Sequence, residues 1–211
     1  MKKRLRSILM LVITFLMMIP YTISWAAQYP DTVRIGLNYG NDPISSVSVS
    51  SEKGIEIGYS ENGTFKLLME QKSKTSLVIR KDGHFVRTTK GDLFEYSPNE
   101  GVPYEGRIIG PWHIKIGDIV PDFITAQSQV TALKKSGVDA YVAYEKGWQV
   151  WTGFFQSSNA AEEGIAPLKA LLETDKIAVT SESFTRIVIY DNEFNVLMIY
   201  GGTDGYMQVW P

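Results

Sequence analysis

Trp112-His113-Ile114-Lys115-Ile116-Gly117 returns 36 residues later as Trp148-Gln149-Val150-Trp151-Thr152-Gly153. The register carries past the motif: Asp122 aligns with Ser158, and Val138 with Thr174. Self-similarity at this period marks one supersecondary unit copied once. Each copy reads strand, helix, strand, which makes residues 110–182 a βαβ–βαβ module. Its first helix is expected from Asp122 to Ser136, with Asp122 as N-cap and Gly137 just past the end. Ala126, Val130 and Leu133 share a face of that helix. The second is expected from Ser158 to Leu172, with Ala161, Ile165, Leu168 and Leu172 as its apolar stripe. Pro167 lies inside it and is expected to kink or divide it.

Outward from the repeat, both flanks read as strands. Val33, Ile35 and Leu37 alternate with polar residues, and Val47 and Val49 keep the same period. Gly54 to Tyr59 and Phe65 to Met69 flank the turn signal Glu61-Asn62-Gly63. Leu77 to Arg80 and His84 to Val86, around Lys81-Asp82-Gly83, read as a further hairpin. After the repeat, Arg186 to Tyr190 and Val196 to Tyr200 enclose the turn Asp191-Asn192-Glu193. Gly201 to Gly205 then leads to a last strand, Tyr206 to Trp210. The expected fold class is α+β: a β-rich antiparallel domain made of residues 29–105 and 184–211, with a ferredoxin-like module inserted at 110–182. Internal duplication and right-handed crossovers favour that topology for the insert.

The N-terminus has the pattern of a secretory signal peptide. Lys2, Lys3, Arg4 and Arg6 precede an uncharged run from Ile8 to Ile19. Pro20 follows, and Ser24-Trp25-Ala26 offers small residues around a cleavage point. Residues 1–26 are therefore expected to be removed, giving an extracytoplasmic protein, secreted or associated with the cell wall. If the segment stays uncleaved, it is the one expected membrane contact; Thr22 and Ser24 disfavour a span, which needs about 20 apolar residues. Cleavage takes four of the 21 Lys and Arg, leaving 17 against 23 Asp and Glu, a net charge of −6. So acidic a chain lacks the cationic footprint that holds nucleic acid by its phosphates.

Composition narrows the chemistry further. There is no Cys, hence no disulfide, no N-terminal lipidated Cys and no thiolate nucleophile or zinc site. His84 and His113 are the two histidines, which excludes a three-His metal site and an HExxH helix. GxSxG, GxGxxG and GxxxxGK[ST] do not occur. A glycosidase needs two placed carboxylates, and nothing marks a pair here. The chain reads as non-enzymatic and free of cofactors.

Alternation assigns the faces of the module's sheet. Ile114, Ile116, Ala140, Val142, Val150, Ile177 and Val179 belong under the helices. His113, Lys115, Tyr141, Gln149, Trp151 and Thr180 then share the opposite face. If open, that face is a sugar platform, with Trp151 and Tyr141 stacking on sugar rings and His113, Lys115 and Gln149 bonding their edges. If the flanking β domain covers it, Trp151 is a core residue.

The repeat resembles the SPOR domain, a peptidoglycan-binding module of bacterial envelopes. Ile114-Lys115-Ile116-Gly117, Ala126, Leu133 and Gly137 to Val142 match its first half-repeat. Trp148 to Phe155 with Ala160-Ala161 match the second, with Phe154 where the family often has Pro. The match spans about a third of the chain. The flanks resemble the region that precedes the catalytic part of stage II sporulation protein D/LytB-type proteins, at Val33 to Leu37, Val47 to Ser50, Gly54 to Ile57, and Ile189-Tyr190 through Tyr206 to Val209. That family includes lytic transglycosylases and amidase enhancers. Its Pro-x-Glu-Met catalytic context does not occur in these 211 residues. The resemblance thus implies an exported, non-catalytic binder of peptidoglycan glycan strands, linked to sporulation or wall remodelling. Two alternatives stand beside it: a protein-interaction module that engages a cell-wall amidase, or a fragment of a lytic transglycosylase. A large apolar patch on the sheet face would favour a protein partner.

Overall fold

A computed structural model describes residues 45–183, 185–202 and 207–210. The expected signal peptide, the Val33–Leu37 strand and most of the Gly201–Gly205 turn lie outside the described residues. The protein is β-rich, with one mixed sheet, two antiparallel ones and two described helices, an α+β architecture.

The strands are β1 (Ser46–Ser51), β2 (Ile55–Glu61), β3 (Thr64–Gln71), β4 (Thr75–Lys81), β5 (Phe85–Thr88), β6 (Leu93–Glu95) and β7 (Gly106–Ile109). Next come β8 (Trp112–Val120), α1 (Phe123–Lys135), β9 (Ala140–Tyr144), β10 (Trp148–Phe155), α2 (Ser158–Leu172) and β11 (Ile177–Val179). Strands β12 (Ile187–Asp191), β13 (Val196–Tyr200) and β14 (Met207–Trp210) complete the described chain.

Eight strands form one sheet in the order β1-β4-β12-β13-β9-β10-β8-β11. Neighbours are antiparallel except β13 and β9, which run parallel with Ile199 opposite Ala143. That ladder joins the repeat to the flanking strands, so one sheet runs across the expected boundary near residue 184. Two smaller sheets, β14-β2-β3 and β6-β5-β7, complete the β structure among the described residues.

The repeat supplies β9-β10-β8-β11 and both helices. Its two glycines have equivalent tasks. Gly117 and Gly153 adopt φ +78° and +77°, and each falls where the β8–β10 register shifts. Irregularities of this kind place one residue in the left-handed region, which glycine reaches without steric cost. The helix bounds fall where the capping residues place them. The Asp122 side chain accepts from the Thr125 N–H at 2.7 Å, and Ser157 Oγ accepts from the Ala160 N–H at 3.2 Å. Pro167 does not divide α2, which runs unbroken for 15 residues. The helix keeps its stripe against the sheet through Ala161, Ile165, Leu168 and Leu172, and this packing holds it across the missing N–H.

The alternation assigned above holds under the helices. Ile116, Ala140, Val142 and Val150 pack with Ala126 and Val130, while Ile114 and Ile177 pack with Ala161. On the same side, Ile55, Ile57, Leu68 and Met69 of β2 and β3 join the core that contains Leu77, Ile79, Ile189 and Met198. Asn62 and Gly63 at the β2–β3 turn have φ 51° and 77°, as a two-residue hairpin loop requires. The expected β4–β5 hairpin does not form. Both edges of β4 are taken, by β1 and β12, so β5 leaves the sheet and pairs with β6 and β7.

Candidate functional site

The residues expected to form an open platform do come together, but under cover. Trp151 and His113 are 0% exposed and Tyr141 2%. The His113 and Trp151 rings stack with centroids 5.3 Å apart. Trp151 Nε1–H donates to Gln149 Oε1 at 2.9 Å, and Gln149 Nε2–H donates to the Glu145 carbonyl at 2.8 Å. Lys115 stays part-exposed, paired with Glu145 at 2.9 Å and 5.5 Å from the Trp151 ring centroid. A ring with no accessible face cannot stack on a sugar, so the platform reading of Trp151 and Tyr141 is corrected: this face is covered.

The cover is polar, and that sets its character. Asp82, in the loop after β4, places Oδ2 2.9 Å from His113 Nε2 and 3.4 Å from Arg186 Nε. All three side chains are fully buried. The Arg186 guanidinium lies 5.2 Å from the Trp151 ring centroid and donates to the Ser181 carbonyl at 2.6 Å. His113 Nδ1 lies 2.7 Å from the Tyr141 hydroxyl, which donates to the Gly153 carbonyl. Burial pushes the Tyr141 pKa well up, so it remains a neutral phenol and acts as a strut rather than a base. Beside it, Arg80 donates from Nε and Nη2 to the Tyr190 hydroxyl at 3.0 and 2.6 Å. Burial raises the Tyr190 pKa, and the Arg80 charge opposes that rise.

Tyr141 and Tyr190 form the back of a solvent-open cleft of about 170 Å³. Tyr141, Tyr190, Phe154 and Phe194 line it. The first two are nearly covered, and Phe154 and Phe194 are part-exposed, so these two rings carry the accessible aromatic surface. The β12–β13 turn presents Phe194 in a fixed pose. Asp191 accepts from the Glu193 and Asn195 backbone N–H groups, each at 2.8 Å, and Phe194 sits at φ 63°. Arg87 of β5 lies 4.5 Å over the Phe194 ring. Arg107 of β7 and Lys134 of α1 also reach the cleft, with Asp139 and Glu193 as its acids. Arg107 pairs with Asp139 at 3.6 Å. Three cations against two acids leave the cleft net positive in a chain of net charge −2.

Of the five residues expected to bind sugar, Tyr141 alone lines this cleft. Arg87, Arg107, Lys134 and Phe194 escaped the sequence reading. The available signal was an aromatic residue directly after Asp191-Asn192-Glu193, a turn that otherwise has no use for one. Among the described residues no cluster of His, Asp and Glu could hold a metal, and no helix is long and apolar enough to cross a membrane. Comparison with protein families, with curated proteins and with solved structures finds no match to this chain.

Proposed function

We propose that the protein is an exported, non-catalytic binder of peptidoglycan glycan strands, acting in wall remodelling or sporulation, and that the strand is held in the cleft beside Phe154 and Phe194. The observation that carries this reading is the cleft itself: two part-exposed rings among cationic and amide side chains. That pairing suits a sugar, whose C–H faces stack on rings while its hydroxyls and amides take hydrogen bonds. The strand order β9-β10-β8-β11, two crossover helices and the internal repeat support a ferredoxin-like, SPOR-like module as the scaffold. The ligand site then differs from the one first expected. It lies at the junction of the module with β5, β7 and the β12–β13 turn, rather than on the sheet face.

The test is co-sedimentation of the purified protein with cell-wall sacculi and with glycan stripped of its peptides. Pelleting that is lost in Phe194→Ala, with the variant still folded at the assay temperature, sustains the reading. Absence of pelleting with either preparation sinks it and turns the search to a protein partner such as an amidase.

A further inference from the structure

We propose that the cleft contains an anion-reading subsite, in which Arg87 and Lys134 take a carboxylate carried by the ligand while Phe194 and Phe154 stack on the adjoining sugar ring. The inference rests on the glycan reading above and adds the chemical class of the group recognised.

Three observations carry it. First, cations from three separate elements, β5, β7 and α1, converge on one cleft. Like charges brought together around a concavity repel one another, and an anion relieves that repulsion. Second, their partners are unequal. Arg107 has Asp139, whereas among the described residues Arg87 and Lys134 have no carboxylate partner. Third, Arg87 is ordered without an ion pair, because its guanidinium lies 4.5 Å over the Phe194 ring. A stacked guanidinium keeps its edge donors free, and a carboxylate can accept from two of them at once. Arg87 therefore sets a positive charge directly beside the ring, where one ligand can meet both. The subsite is also composite. Lys134 and Phe154 come from the repeat, and Arg87 and Phe194 from the flanking strands.

In wall glycan such a carboxylate has two sources. One is the lactyl acid on the sugar, free when the peptide is removed and amide-blocked when it is present. The other is the peptide's own acids. Binding is measured to intact sacculi, to peptide-stripped glycan, and to stripped glycan whose carboxylates have been converted to neutral amides. We expect stripped glycan to bind about tenfold tighter than its amidated form, as charge-assisted hydrogen bonds are roughly twice as strong as neutral ones. Arg87→Gln should erase that difference. Lys72→Gln removes the same charge from a remote, 81% exposed side chain and should change neither. Tighter binding to intact sacculi that is lost in Arg87→Gln assigns the carboxylate to the peptide and keeps the subsite. Equal binding to stripped and amidated glycan, unaffected by Arg87→Gln, overturns the subsite while glycan binding stands. No binding to any preparation removes both. Lys134→Gln, at an exposed helix position, provides the same readout if Arg87→Gln does not fold.

Discussion

Asp82 and His113 meet at 2.9 Å across 31 residues of chain, both fully buried, and so pin the loop that leaves β4 to the first strand of the repeat. The Asp82 backbone N–H adds a second tie, donating to the Arg186 carbonyl at 2.7 Å. Among the described residues, Asp82 Oδ1 and Arg186 Nε and Nη1 have no hydrogen-bond partner. The cluster is thus costly to bury and costlier to break. Removing one member of a buried charged group destabilises by about 3–5 kcal/mol, because the others stay desolvated. Asp82→Ala should lose that much in denaturant unfolding. A loss below about 1 kcal/mol would mean the cluster is hydrated and contributes little.

Trp151→Ala tests the same face differently. Truncating a fully buried Trp costs about 3–5 kcal/mol through lost transfer energy and the cavity left behind. The variant should unfold much more readily, and its binding should fall only with its folded fraction. A well-folded Trp151→Ala with selectively lost glycan affinity would restore this ring to the binding surface.

Phe194→Ala makes the opposite prediction. The ring is part-exposed at the cleft and set by a turn whose hydrogen bonds come from Asp191 and the backbone. Stability should fall modestly, because the ring also packs against Tyr190 and its neighbours. Glycan affinity should fall by up to about tenfold, the scale of one lost aromatic contact of about 0.5–1.5 kcal/mol. Titration against soluble glycan fragments gives the number.

On the alkaline side, burial and then the Tyr59 hydroxyl, 3.1 Å away, push the Tyr144 pKa up to about 12. The folded state holds the phenol proton that the unfolded chain releases near its ordinary value of about 10. Its contribution is complete below pH 10 and is lost as pH rises towards 12. Phenolate absorbance should show a high-pH component that Tyr59→Phe moves down.

On the acid side, burial lowers the His84 pKa, against opposing pulls from Asp82 and Glu182. Its Nδ1 is buried without a hydrogen-bond partner among the described residues. The unfolded chain takes up a proton first, so stability falls as pH drops below the ordinary value of 6.5 and on through the lowered one. His84→Gln should flatten that part of the stability–pH curve; an unchanged slope would assign the acid sensitivity to other groups.

The repeat was legible because its information is local. Asp122 caps α1, the Ala126–Val130 and Ala161–Leu168 spacings turn one helix face inward, and strict alternation sorts His113 and Trp151 from Ile114 and Val150. What could not be read depends on distant pairings. Alternation gives Trp151 a side of the sheet but not what lies above it; that depends on Asp82 and Arg186, which arrive from opposite ends of the repeat. The cleft was hidden for the same reason. Arg87, Lys134 and Phe194 are separated by dozens of residues, and each alone reads as an ordinary surface side chain. The β4–β5 hairpin failed because a tight turn between two short strands does not reveal that β12 already occupies the edge.

The parallel β9–β13 ladder leaves the duplicated unit no outer edge on that side. A free-standing copy would present a row of unpaired backbone groups there, open to pairing with a neighbouring molecule. Here the protein's own later strand fills the position, so the unit forms one half of a continuous sheet and is not a bead on a tether. It cannot swivel on a linker or exchange with another copy without opening a mid-sheet seam. Whatever grips one half of the molecule therefore fixes the heading of the other.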